Sequence, residues 1–91
     1  MGRETVLFSS KETRSRQEVG AFLRDLADRL DSGRVTLRRG EEEMALDLPG
    51  QMVLEIKVED EEKRRRGTQH SLEVEMKWFD GTTPASSLEL G

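Results

Sequence analysis

SRQEVGAFLRDLADRLDSG, residues 15–33, is the stretch on which the fold turns. Ser15 and Glu18 stand at the spacing of a capping box. The serine hydroxyl there accepts a first-turn N–H, and the glutamate reaches back to the serine's own N–H. Behind them Val19, Phe22, Leu23, Leu26, Ala27 and Leu30 recur at helical spacing and form one stripe. The opposite face carries Arg24, Asp25, Asp28 and Arg29, with opposite charges set one helical turn apart. Gly33 falls where a left-handed C-terminal cap belongs. The pattern predicts a helix from about Arg16 to Asp31 with one apolar face to bury.

Outside this stretch the period drops to two, the spacing of strands. Val6 and Phe8 mark a first strand over Glu4–Ser9, before the helix. After Gly33 come Val35 and Leu37, a turn at Arg39-Gly40-Glu41, then Met44, Leu46 and Leu48. Pro49-Gly50 reads as a tight turn. Met52, Leu54, Ile56 and Val58 alternate with charged residues in the next strand. Leu72, Val74, Met76 and Trp78 do so in the last, after a charged loop of about eight residues ending near Gly67-Thr68. The expected order is β-α-β-β-β-β. It implies a two-layer α+β domain, one amphipathic helix packed on one face of a mostly antiparallel sheet. Residues 1–79 form this single domain and residues 80–91 a flexible tail.

Composition narrows what such a domain can do. Of the 91 residues, 33% are apolar and 37% charged, so the core is thin and rests on patterning. With no cysteine there is neither a disulfide framework nor a thiolate site. With one histidine a zinc or copper site is improbable, and no metal or other cofactor is expected. A net charge of −4 disfavours generic polyanion binding. No apolar run is long enough for a signal or a membrane span, and Val6 stands where a myristoylated Gly2 would need Ser or Thr. The expected compartment is the cytoplasm, with no membrane partner.

The Ser15–Val19 run, the Leu23–Leu30 helix core, Gly33, the amphipathic strands and the late Trp78 together resemble the amphi-Trp domain family. The likeness covers roughly residues 3 to 79. It implies the α+β fold; the family carries no assigned activity, so function stays open. The Lys63–Arg66 loop and the tail depart from the pattern.

Residues with chemical potential favour binding over catalysis. Glu55, Glu59, Glu73 and Glu75 alternate outward beside Lys57 and Lys77, the arrangement of a wet sheet face rather than a desolvated acid pair. His70 sits in the charged loop, and Ser71 beside it in sequence does not make a nucleophile–base geometry. Trp78 alternates into the core. Lys63, Arg64, Arg65 and Arg66 could clamp phosphates, yet Asp60, Glu61 and Glu62 precede them. If Leu54 pairs with Trp78 and Glu55 with Lys77, then Val53 and Phe79 form a small apolar patch. Slipping the strands by two would oppose Glu55 to Glu75.

These features predict a non-catalytic binding or accessory module that contacts another macromolecule, a protein first, as a monomer or weak homodimer. The alternative is a nucleic-acid-associated protein using Lys63–Arg66 with Arg38 and Arg39. No catalytic, cofactor or metal residues are expected.

Overall fold

The computed structural model describes residues 2–81. Helix α1 spans Arg16–Ser32, and its start follows the capping logic of the sequence. The Glu18 N–H donates to Ser15 Oγ at 3.0 Å, and the Ser15 N–H donates to Glu18 Oε1 at 3.1 Å. Gly33, at φ 84°, ends the helix by donating its N–H to the Arg29 and Leu30 carbonyls. The Glu18 carboxyl is held below the ordinary glutamate range, chiefly by that backbone N–H of Ser15.

Four strands follow: β1 (Arg34–Arg39), β2 (Glu42–Asp47), β3 (Val53–Lys63) and β4 (Gly67–Lys77). The chain is α+β, one helix and then four strands. Backbone pairing sorts the strands into two antiparallel hairpins, β1–β2 and β3–β4, rather than one continuous sheet. Each hairpin joins strands adjacent in sequence, where loop closure costs least entropy. Residues 48–52, between β2 and β3, carry no ladder, and Pro49 has no N–H to give one.

The chain divides into two compact units, Met1–Leu48 and Pro49–Gly91. In the first, α1 packs against β1, and Val35 is buried at 4% exposure. Leu26, Leu30, Leu37, Met44 and Leu46 are half-buried. Gly40, at φ 61°, takes the first position of the two-residue β1–β2 turn, a place that favours glycine. The expected strand over Glu4–Ser9 does not form: residues 2–15 hold neither helix nor strand. Val6 and Leu7 are adjacent and both exposed, so no alternating face is buried. Arg39 holds the segment instead, donating from Nη1 to the Ser9 carbonyl and lying 5.8 Å from the Phe8 ring centre.

In the second unit β3 and β4 pair from Val53↔Lys77 to Lys63↔Gly67. The charged loop shrinks to the turn Arg64–Arg66, closed by the Arg66 N–H on the Lys63 carbonyl at 3.3 Å. Gly67 sits at φ 81°, a left-handed conformation in which any Cβ is disfavoured. Tail residues 82–91 lie outside the described residues.

Candidate functional site

The β3–β4 register decides which side chains meet. Leu54 faces Met76, Ile56 faces Val74 and Val58 faces Leu72, three apolar pairs on one face. That face continues with Asp60 opposite His70 and Glu62 opposite Thr68. The other face sets Val53 opposite Lys77, Glu55 opposite Glu75, Lys57 opposite Glu73 and Glu59 opposite Ser71.

This register is two residues away from the one charge pairing favours. Leu54 does not meet Trp78, and Glu55 is directly opposed to Glu75, the arrangement like charges were expected to exclude. Two physical effects reverse that expectation. A turn of Arg64–Arg66 with glycine after it fixes the count from the tip, and register follows turn geometry. Lys77 then reaches diagonally across, its Nζ 2.8 Å from Glu55 Oε1 and 3.6 Å from Glu75 Oε1, and neutralises the opposed pair. The hydrogen bond from Lys77 holds the Glu55 carboxyl below its ordinary range, and the same bond raises the Lys77 ammonium. Lys57 sits 3.3 Å from Glu73 Oε2 and is raised chiefly by that hydrogen bond.

The register also removes the basis for a Val53–Phe79 patch. Val53 faces Lys77, and Phe79 lies beyond the end of β4 at 87% exposure. Trp78, placed by its alternation on the last strand, instead follows directly after β4 and is half-buried.

His70 lies in β4, not in a loop, with its Nδ1 2.6 Å from Asp60 Oδ1. An ionised carboxylate only accepts, so the imidazole Nδ1 donates. Spacing in sequence could not foresee this pair, because it exists only in the register the turn imposes. Ser71 points to the opposite face, as successive strand residues do, and its hydroxyl donates to the Glu59 carbonyl at 3.3 Å. An acid–base pair is present, and the adjacent hydroxyl is turned away from it.

Open depressions lie on the hairpin. One, of about 340 Å³, is lined by Glu55, Lys57, Glu73, Val74 and Glu75. Another, of about 350 Å³, lies at the tip among Glu62, Lys63, Arg64, Gly67 and Thr68. Both are polar and open, unlike the enclosed apolar clefts that hold small substrates. Among the described residues, no group of three or more His, Asp or Glu side chains could hold a metal ion. No helix among them is long and apolar enough to cross a membrane.

The basic residues separate into engaged and open ones. Arg38 lies 3.0 Å from Glu43, Arg39 2.8 Å from Glu42 and Lys63 3.0 Å from Glu61. The turn residues Arg64, Arg65 and Arg66 are exposed, and no ion pair forms at them among the described residues.

One helix followed by two antiparallel hairpins, the second long and amphipathic, defines a small protein of the α+β class. Among known families the chain matches the Amphi-Trp domain over residues 1–91, its whole length, and it belongs to that family. No curated protein and no solved structure matches it.

Proposed function

We propose that this protein is a non-catalytic accessory module, acting in the cytoplasm, that binds another macromolecule through the β3–β4 hairpin. The observation that supports this reading is the hairpin itself. It pairs over eleven-residue strands, yet nearly all of its side chains are exposed. Ile56 is 56% exposed and Val58 74%, so an apolar strip stands open beside a charged ribbon. Exposed extended surfaces of this kind serve partners better than small substrates. Beside the Asp60–His70 pair, Ser71 is turned to the opposite face, where its hydroxyl is bonded to the Glu59 carbonyl.

Affinity capture from native lysate tests the reading, using the full chain and a variant in which a tight two-residue turn replaces residues 59–71. A partner retained by the full chain and lost by the shortened one is the expected result. Equal capture by both, and by a second variant with Val58→Ser and Leu72→Ser on the apolar strip, would place binding elsewhere and contradict the proposal.

A further inference from the structure

The outer end of the hairpin has a composition of its own. From Glu59 round to Ser71 there is no apolar side chain on either face. Five residue pairs, 59↔71 to 63↔67, carry this polar ribbon. At about 3.3 Å per residue they extend it roughly 16 Å past the last apolar pair. Three consecutive arginines stand at its end.

The acidic residues preceding them in sequence are the natural objection to an anion site there. The structure weakens it. Asp60 is engaged by His70, Glu61 by Lys63 at 3.0 Å and Glu59 by Lys57 at 3.8 Å. That leaves Glu62, beside Lys63 and Arg64 in the tip depression, as the one acid of the four that no such contact engages among the described residues. The carboxylates are spread along β3, while the three guanidinium groups are gathered in one turn, with no carboxylate within ion-pair distance among the described residues.

From this arrangement we infer that Arg64, Arg65 and Arg66 bind the phosphate backbone of nucleic acid, without reading sequence. The inference deepens the binding-module proposal and rests on it. Guanidinium forks match phosphate oxygens in pairs, and adjacent arginines on an exposed turn address neighbouring phosphates. A membrane surface is the weaker fit, because an interfacial anchor needs apolar residues to bury and the tip has none. Contact stops at the tip: a ribbon pushed deep into a groove would carry Glu59, Glu61 and Glu62 against the phosphates. About three phosphates are therefore neutralised, which sets a slope of about −2.7 for log affinity against log salt on duplex DNA.

Fluorescence anisotropy with a labelled 20-base-pair duplex and the full chain tests this. Affinity is expected to fall roughly 40-fold between 50 and 200 mM salt. The variant R64S/R65S/R66S should bind at least about 10-fold more weakly at 50 mM and show a flattened slope, with unchanged circular dichroism. A control of equal charge, R3S/K11S/R24S, should bind as the native chain does. No salt-dependent binding to duplex or single-stranded probes, or equal losses in both variants, would overturn the inference. So would tip-dependent preference for phosphatidylserine vesicles or a polyglutamate peptide over the duplex. If the duplex fails while hairpin-dependent capture from lysate persists, the binding module stands and the nucleic-acid assignment falls.

Discussion

The inner and outer halves of the β3–β4 hairpin share strands, register and backbone, and differ in what their side chains can do. In the inner half, residues 53–58 against 72–77, apolar pairs occupy one face and a charged lattice the other. In the outer half both faces are polar, and Arg64–Arg66 close the end. Isolated two-stranded ribbons are marginal in water. The inner half supplies the side-chain association that favours pairing, and the outer half extends it by backbone bonds and turn geometry. One ribbon can thus be anchored at its base and presented at its tip.

The strongest way to break this division is to exchange its apolar pairs. Replacing the opposed residues together, Ile56→Ser with Val74→Ser, should cost about 2 kcal/mol, counting partial burial and the cross-strand contact. The matched change in the outer half, Glu61→Ser with Gln69→Ser, should stay within about 0.5 kcal/mol. Urea denaturation of both variants gives the contrast, and equal losses would erase it.

The turn comes next. Gly67→Ala forces a Cβ into a left-handed conformation, at about 1–2 kcal/mol. Its Cβ would meet only open space, so the cost is conformational alone. Amide exchange along β3 and β4 should accelerate from the tip inward. Unchanged exchange would mean that the turn does not set the register.

A smaller effect is expected at the base. Lys77→Met leaves Glu55 and Glu75 opposed without their shared cation. Thermal denaturation should show a modest loss, recovered by adding Glu75→Gln. Failure of that rescue would remove the diagonal bridge from the explanation of the register.

The smallest effect is the dependence on pH. The hydrogen bond from Lys77 depresses the folded-state pKa of Glu55 below its unfolded value. Its stabilising contribution is therefore complete above the unfolded pKa and disappears as pH falls through the folded one. Because the pair is exposed, solvent screening keeps the effect small. Carboxyl carbon shifts of Glu55 should titrate below those of a glutamate peptide and return toward them in Lys77→Met.

These residues also show which features sequence carries. The helix was fully legible, because Ser15, Glu18 and Gly33 act within a few residues of themselves. The strands from Val35 onward were legible as alternation. The outer half of the hairpin was not, since a ribbon wet on both faces has no alternation, and Asp60–Lys63 and Gly67–Ser71 read as loop. Nor was the register, which charge pairing alone places two residues away from the one that the turn at Arg64–Arg66 sets. Val6 and Phe8 alternate like a strand, yet alternation supplies no pairing partner. Of the candidate site, the arginine run was visible from the start. The contacts that engage the nearby carboxylates, His70 across the ladder for Asp60 and Lys63 and Lys57 along β3 for Glu61 and Glu59, depend on the strand geometry that the fold supplies.

The most direct test of a ribbon anchored at one end and working at the other is an amide chemical-shift map. The ¹⁵N-labelled full chain would be titrated with an unlabelled 12-base-pair duplex at 50 mM salt. Perturbations concentrated at Lys63–Thr68, with the amides of Val53–Val58 unmoved, are the predicted result. Shifts centred on the inner half or on α1, or none at all, would contradict the account.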